Sequence, residues 1–429
     1  MTKHITQLET LLEFPLLQAL FGRRARRFGL GMEIPSGPLA FSSKRSPMPL
    51  TELEQMILVA AATGVSGWNF GIPFGPQTPE SHAEFTLRFT GRTAPTAAGL
   101  GTPVLFFTDD NGCYCTQTRD VQPELMQELD GGKDSFEHVL AVCRDHTTRI
   151  RDNRMDLPSA PPYILPPNLW WANKPGSTLF MPVGDASEEC LGIMALMIRH
   201  GVMIVDNETG KPAGNLEPFV RSGFLNSEKQ YPLSELQSFV LEAVCLELAF
   251  MGHNIALMLQ AIGLGGLYFT GLDGLSALGA NAHNGVEGLG FRFVEDERWV
   301  TPNPIGLEGV YEALCPPNYP DMHAAVEAFF ERKFGSHGAY GSEASGPWQD
   351  SASVKRSVVP YSKEFRDCMS EVAQYIYSKY GKFPGIRSTI ILPGFVQAQH
   401  IDTAFYDTHY KKGGYLQTHA QHEKNWHEK

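Results

Sequence analysis

The chain has 429 residues, of which 42% are hydrophobic and 19% are charged, and it contains 42 glycines and 30 prolines. This length allows roughly two to three domains, or one large domain with an extension, and the composition excludes a disordered chain. The formal net charge of −12 argues against a general affinity for nucleic acid or for anionic membrane surfaces. We therefore expect small molecules, peptides or proteins as partners.

The first residues lack the charged and apolar segments of a signal peptide, and no run approaches the roughly 18 apolar residues of a membrane helix. The seven cysteines are odd in number and scattered, so they do not suggest a disulfide framework. These features predict a cytoplasmic protein that does not enter the membrane.

In chain order, residues 5–21 carry apolar side chains near helical spacing and predict an amphipathic helix. The basic cluster Arg23–Arg27 follows, either as a solvated surface or as an anion-binding element. Lys44, Arg45 and Ser46 then lie just before a helix that runs through Ala62. Cationic and hydroxyl groups in such a loop can hold a phosphate.

The start of that helix is predicted by Thr51 and Glu54, which stand at capping-box spacing. Farther along, Arg92–Gly101 is a loop of small residues before a predicted strand at Val104–Phe107. A turn at Asp109–Gly112 and a return strand at Cys113–Thr116 complete a hairpin. The small residues let a flat ligand lie against the backbone, although such turns are also common without a ligand.

Residues 122–150 predict two helical pieces, and the proline-rich stretch 157–171 predicts either a lid or a loop laid over the core. Residues 187–205 contain an apolar run that is either a helix or a strand. A core helix is predicted from Ser234 to Gly263, with Ser234 and Gln237 as a capping box and Gly263 as the stop.

The last part of the chain predicts helices at Met322–Phe334 and Ser362–Tyr380, with a linker of Gly, Ser and Ala at 335–353. The tail carries five of the 14 histidines, which are His400, His409, His419, His422 and His427. We interpret it as a polar tail docked on the body, with a metal site that also uses Asp402 and Asp407 as the alternative. Because no standard metal motif is complete, we predict no metal ligand.

Several of these elements together resemble the nitroreductase superfamily, and most closely its azoline-dehydrogenase branch. The similar elements are Lys44–Ser46, the helix that begins after Pro49 and ends near Gly67, and the loop Arg92–Gly99. The helix end Ala261–Gly266 is also similar to a helix of that family that closes near the flavin phosphate. The similarity covers roughly residues 36–300.

The resemblance implies an α+β fold in which helices wrap a central mixed sheet, and a homodimer with FMN at the subunit interface. Carried over by position, Lys44, Arg45 and Ser46 would contact the FMN phosphate or ribityl oxygens. Thr96 and Ala97 would lie by the isoalloxazine, with Arg92 in the same loop. Gly265 and Gly266 would offer backbone donors.

We therefore predict an FMN-dependent oxidoreductase that acts on an unknown small-molecule or peptide substrate, with NAD(P)H as a candidate reductant. The predicted units are an N-terminal helical arm (1–35), a nitroreductase-like domain (36–335) and a mainly helical, histidine-rich extension (354–429). The basic element lacks a second arginine that the family places after the serine. The alternatives are therefore a flavin-free binding or scaffold protein, and a metal-dependent enzyme that uses the C-terminal His/Asp cluster.

Overall fold

The computed structural model describes residues 2–73, 86–122, 133–385 and 387–427. Its helices are α1 (Thr2–Leu12), α2 (Leu16–Gly22), α3 (Glu52–Thr63), α4 (Lys133–Asp145), α5 (Ala186–Arg199), α6 (Glu217–Arg221), α7 (Leu233–Ile262), α8 (Gly274–Leu278), α9 (Met322–Phe334), α10 (Ser351–Ser357), α11 (Lys363–Tyr380), α12 (Thr403–His409) and α13 (Gln417–Trp426).

The strands are β1 (Glu33–Ile34), β2 (Phe41–Ser42), β3 (Val65–Trp68), β4 (Thr90–Arg92), β5 (Val104–Thr108), β6 (Cys113–Thr116), β7 (Thr147–Arg151), β8 (Thr178–Asp185), β9 (Val202–Asp206), β10 (Lys211–Pro212), β11 (Asn226–Pro232), β12 (Gly265–Phe269), β13 (Arg292–Val294), β14 (Asn303–Leu307), β15 (Tyr311–Glu312), β16 (Ile390–Ile391) and β17 (Phe395–Gln399). The chain is therefore α+β, as predicted.

The main sheet has the strand order β12-β17-β8-β5-β6-β7, and β16 also pairs with β8. Every pairing in it is antiparallel among the described strands. The predicted mixed sheet is therefore wrong for this part of the chain. The parallel pairing that is described joins β9 and β11 in a small separate sheet.

Both faces of the main sheet are covered, which explains why β5 is buried along its whole length. Successive side chains of a strand point to opposite faces. Phe106 accordingly packs in one apolar core with α5 and α11, and Phe107 packs in a second core with α3 and α4. Helix α7 contributes to both cores, through Val244 and Ile255 respectively.

Most elements predicted from local signals form near the predicted positions. Helix α3 begins with the predicted capping box, in which the Thr51 amide donates to Glu54 Oε2 at 2.6 Å and the Glu54 amide donates to Thr51 Oγ1 at 3.3 Å. Helix α9 has the predicted bounds, and Ser362 caps α11. The apolar run in 187–205 forms α5.

The predictions for the N-terminal helix and for the start of α7 are wrong in detail. The predicted N-terminal helix is divided into α1 and α2, with Pro15 as the N-cap of the second helix. Helix α7 begins at Leu233 after Pro232, without a side-chain cap, so Ser234 is not its N-cap. Gly263 ends it in the left-handed conformation, as predicted (φ 88°). The first helical piece predicted in 122–150 falls largely on residues 123–132, outside the described residues.

Helix α7 is also long and apolar enough to cross a membrane by length and composition, with a mean hydropathy of 1.5 in its most apolar window. Half of that window is buried inside the fold. It also carries Glu247, a buried residue with hydrogen bonds to a neighbouring loop. Core packing therefore accounts for its apolar composition.

The segment after residue 354 is mainly helical, but it does not form a separate layer. Its strand β17 lies between β12 and β8 in the main sheet. Helix α11 packs against α5 and α9 in the first core. The linker predicted at 335–353 therefore does not separate two hydrophobic cores.

Candidate functional site

A cleft of about 410 Å³ lies beneath the loop of small residues that the sequence singles out. Loop residues Arg92 and Thr96 line it, together with Arg88, Arg119 and Trp68. This volume is within the range of small-molecule sites. Two of the predicted cofactor residues therefore face one cavity.

Among the described residues, Arg92 differs from the other arginines of the cleft because it has no acidic partner. Its guanidinium donates to the carbonyls of Pro103 (2.7 Å) and Gly101 (3.0 Å). No carboxylate of the described residues lies within 4 Å of it, whereas Arg88 and Arg119 both pair with acids. Burial lowers the pKa of Arg92 to about 10, against the opposing attraction of Glu247. A cation in this setting favours an anionic ligand.

The loop is fastened to helix α7 by Glu247. This carboxylate accepts hydrogen bonds from the Thr96 hydroxyl and from the Ala97 amide (3.0 Å). Burial raises the pKa of Glu247, although these hydrogen bonds oppose the shift. Asn254, two helical turns further on, donates to the Thr93 carbonyl at 3.0 Å. The tertiary structure therefore uses Thr96 and Ala97 to fix the loop.

Behind the cleft, a network of arginines surrounds Glu188 on α5. Glu188 is fully buried and accepts from Arg88 (2.8 Å), Arg119 (3.2 Å) and Arg332 (2.5 Å). Burial on its own would raise the pKa of Glu188, but the three guanidinium charges outweigh it and lower that pKa to about 2. The network makes one wall of the cleft rigid and charged.

The next residue, Glu189, is also fully buried, but its two carboxylate oxygens have no hydrogen-bond partner within the described residues. Burial, with the nearby charge of Glu247, raises the pKa of Glu189 well above its usual range. Burial therefore favours the protonated form of this acid.

Lys44, Arg45 and Ser46 are exposed and do not line the cleft, and Arg45 pairs with Glu423 of the C-terminal helix α13. Both terminal nitrogens of Arg45 donate to Glu423, at 2.6 and 2.8 Å. The same guanidinium edge is the one that would hold a phosphate. The predicted phosphate element is therefore occupied by a carboxylate of the chain itself.

Gly265 and Gly266 lie in β12, where they pair with Gln399 and Ala398 of β17. The Gly266 amide donates to the Arg26 carbonyl at 2.8 Å. Gly266 has φ of 137°, and a Cβ there would stand 1.9 Å from the Gln397 carbonyl oxygen. Close strand packing therefore explains why glycine is needed here.

A second cluster lies where α3, the end of β17 and α13 meet. Glu54 Oε1 lies 2.8 Å from His422 Nε2 and 3.1 Å from His427 Nε2, and Glu54 Oε2 lies 3.9 Å from His400 Nε2. The ligating atoms of these four residues are all within 4.8 Å of one another. Glu54, His400 and His422 are buried, and His427 is partly buried.

The electrostatics of this cluster follow from its burial and its composition. Burial on its own would raise the pKa of Glu54, but the histidines around it outweigh that effect and hold the pKa well below its usual range. Burial lowers the pKa of His400 to about 4, so its ring is neutral near pH 7. An ionised carboxylate therefore lies beside at least one neutral imidazole.

Sequence reasoning found the three histidines but missed Glu54 as their partner. The capping-box spacing predicts that Glu54 caps α3, and the structure confirms this role for its Oε2. The two suggested acidic partners lie elsewhere: Asp402 accepts from Ser43 Oγ at 2.7 Å and caps α12, and Asp407 accepts from the Tyr415 hydroxyl at 2.8 Å. No spacing in the chain signals that residue 54 meets residues 400–427.

No family model and no curated protein matches the chain. Among solved structures, the chain is similar to a provisionally assigned nitroreductase from Ralstonia eutropha JMP134, with 14% identity and a TM-score of 0.26. The match covers 61% of this chain and 71% of that chain. At this TM-score the likeness carries no argument about the activity of the chain.

Proposed function

We propose that the chain is an FMN-dependent oxidoreductase that binds the flavin in the cleft beneath residues 92–101. The observation that supports it is Arg92, which lines a cavity of about 410 Å³ without a described carboxylate within 4 Å. This is also the loop in which the sequence resembles flavoenzymes. Bound FMN would supply hydride transfer to or from an organic substrate.

The fit of the residues to FMN differs between the two ends of the predicted site. At the cleft, Arg92 offers a positive charge, and Trp68 and Phe70 offer apolar surface to a flat ring. At the phosphate end, Arg45 is paired with Glu423, and the Gly266 amide is used within the fold. In this conformation the basic element does not fit a phosphate, so the proposal rests on the cleft alone.

In this proposal the protein binds and orients FMN and the substrate, and no side chain acts as a nucleophile. Arg92 attracts the anionic part of the ligand, and Glu247 keeps the loop in place through the Thr96 hydroxyl and the Ala97 amide. The ion pairs of Glu188 fix the opposite wall. Such preorganisation lets binding occur without reordering the loop.

The first test is the visible absorbance of the purified protein, repeated after FMN is added and unbound FMN is removed. We expect a flavin spectrum that stays with the protein and weakens in Arg92→Lys, because lysine cannot keep both carbonyl contacts and offer a second edge to the ligand. His323→Gln, on the exposed start of α9, is the control. A folded protein that retains no FMN would contradict the proposal.

A comparison of FMN with riboflavin tests the phosphate end separately. Glu423→Gln would release Arg45, so it should strengthen binding of FMN but leave riboflavin binding unchanged if Arg45 contacts the phosphate. Arg45→Ala should then weaken binding of FMN only. Equal effects on both ligands would exclude Lys44–Ser46 as the phosphate element.

The second candidate is a flavin-free binding protein of the same fold. The pairing of Arg45 with Glu423 favours it, because the chain itself satisfies the predicted phosphate element. This candidate predicts that FMN does not bind even to Glu423→Gln. The same titration therefore separates the two candidates.

The partners in our proposal are a small-molecule or peptide substrate and a second copy of the chain, in the cytoplasm. NAD(P)H remains the candidate reductant. Exposed apolar side chains on α2, including Leu16, Leu17 and Phe21, support self-association. The seven cysteines are free, in keeping with a reducing compartment. Light scattering during gel filtration would measure the mass in solution and test the dimer.

A further inference from the structure

We propose that Glu54, His400, His422 and His427 bind one divalent transition-metal ion, with Zn²⁺ as the best-matched metal. The cluster lies at the contact between α13 and the body of the protein, away from the residues that line the cleft. This proposal is independent of the flavin, and it assigns a metal role to residues from both ends of the chain.

The hydrogen bonding of His422 requires a cation beside Glu54. Nδ1 of His422 lies 2.9 Å from the Ile262 carbonyl oxygen, which can only accept, so Nδ1 carries a proton. In the neutral ring, Nε2 then presents a lone pair 2.8 Å from the Glu54 carboxylate. Two lone pairs repel at this distance, so either a second ring proton or a metal ion must lie between them.

The other two histidines make the metal the better solution. His427 Nε2 lies 3.1 Å from the same carboxylate oxygen. His400 Nε2 lies 3.9 Å from Glu54 Oε2 and 3.3 Å from the Pro49 carbonyl oxygen, so a metal bound through this nitrogen would replace its contact with Pro49. Without a metal, the contact between His422 Nε2 and Glu54 needs a second proton on a buried ring. One divalent ion can instead bind Glu54 and one nitrogen of each ring while the three rings stay neutral.

The surrounding contacts hold two of the ligands in orientation. Glu54 Oε2 accepts from the Thr51 amide (2.6 Å) and hydroxyl (2.8 Å), which turns Oε1 toward the histidines. The Ile262 carbonyl fixes the ring of His422 in the same way. Such outer contacts set ligand orientation and tautomer at known metal sites.

The spacing matches a small tetrahedral site. Metal bonds of about 2.0–2.1 Å to nitrogen and oxygen place tetrahedral ligands about 3.3 Å apart. Glu54 Oε1 lies 2.8 and 3.1 Å from the nitrogens of His422 and His427, and Oε2 lies 3.9 Å from that of His400, so side-chain shifts would be needed to bring all four ligands to one ion. Three imidazoles and one carboxylate suit Zn²⁺, and Ca²⁺ or Mg²⁺, which prefer oxygen ligands, are disfavoured.

Four protein ligands fill the coordination sphere, which is typical of a structural site and not of a catalytic one. The ion would join the start of α3, the end of β17 and α13. It would thereby hold Glu423 of α13 against Arg45. We infer that the metal fixes the C-terminal helix on the body of the protein.

The test uses the full chain, from which a chelator first removes any metal. The protein is then incubated with Zn²⁺ alone and desalted, and the bound zinc is measured by inductively coupled plasma mass spectrometry. We expect about one retained Zn²⁺ per chain, and retained Co²⁺ should show the intense visible absorption of a tetrahedral site. His427→Gln should weaken Zn²⁺ binding by on the order of 100-fold or more, because it removes a ligand and not an outer contact. It should remain folded because His427 is partly exposed.

His323→Gln serves as the control for loss of an exposed histidine outside the cluster, and it should retain Zn²⁺ as the unmodified chain does. His422→Gln is a second ligand variant, with folding checked by circular dichroism. A folded, unmodified chain that retains no Zn²⁺ would overturn the proposal. So would equal retention by His427→Gln and His323→Gln, which would indicate adventitious surface binding.

Discussion

The Glu188 network and the Glu54 cluster both place basic side chains around a buried carboxylate, but only the first is complete. Glu188 receives directed hydrogen bonds from three arginines, which are permanently charged donors. Glu54 instead faces histidine nitrogens, at least one of which presents a lone pair when its ring is neutral. Guanidinium groups satisfy a carboxylate by themselves, whereas an imidazole whose other nitrogen already donates, as in His422, needs a second proton or a metal ion.

The largest effect should come from breaking the complete network. Glu188→Gln removes the charge that three guanidinium groups share, and should lower the free energy of unfolding by about 3–5 kcal/mol. Urea denaturation would measure the loss. The control is Glu217→Gln, whose exposed ion pair with Arg221 should contribute at most about 0.5 kcal/mol. A Glu188→Gln variant as stable as this control would show that the buried ion pairs of Glu188 contribute no more to stability than one exposed pair.

Asp185, which caps α5 next to this network, should produce a pH dependence of stability. Burial, with the charge of Glu188, raises its pKa to about 6, while Ser187 and the charge of Arg119 oppose the shift. The folded state then holds a proton that the unfolded state loses at about pH 4. Stability should therefore fall as the pH rises from about 4 to 6, by on the order of 3 kcal/mol.

The measurement for Asp185 is the difference in unfolding free energy between the unmodified chain and Asp185→Asn across this pH range. Asparagine keeps the cap but does not ionise, so the contribution of residue 185 to the free energy of unfolding should not vary with pH in this variant. The difference isolates Asp185 from carboxylates such as Glu188, whose lowered pKa acts at lower pH and in the opposite direction. A constant difference from pH 4 to 7 would contradict the prediction.

Binding of Zn²⁺ to the cluster around Glu54 should stabilise the fold by mass action. With free Zn²⁺ at about 100 times its Kd, the free energy of unfolding should rise by about 2.7 kcal/mol. The urea midpoint measured with and without Zn²⁺ would show this increase, and removal of the metal by a chelator should reverse it. In His427→Gln at the same Zn²⁺ concentration, the increase should disappear.

The smallest effect should come from the exposed pair between Arg45 and Glu423. Both side chains are about half exposed, so Glu423→Gln should change the free energy of unfolding by only about 0–1 kcal/mol. Thermal denaturation at low and high salt would measure it, and salt should reduce the difference. A larger loss would mean that the pair, and not the proposed metal, holds α13 in place.

Local sequence signals predicted much of the fold. The capping box of α3, the cap of α11, the stop at Gly263 and the hairpin of β5 and β6 are each specified by residues close together in the chain. The same local reasoning did not find the place of β17. A short apolar strand carries no signal for its partners, because strand pairing depends on contacts far apart in sequence.

For the candidate sites too, some features follow from the sequence and others only from the folded chain. The sequence by itself determined the loop of small residues, the cationic Arg92 and a tail rich in histidine. The tertiary structure alone decided that Arg45 meets Glu423, that Glu247 holds Thr96 and Ala97, and that Glu54 faces three histidines. The physical reason is that residue types and caps act within one helical turn or strand, whereas charge pairing and metal coordination depend on distances that only the folded chain sets.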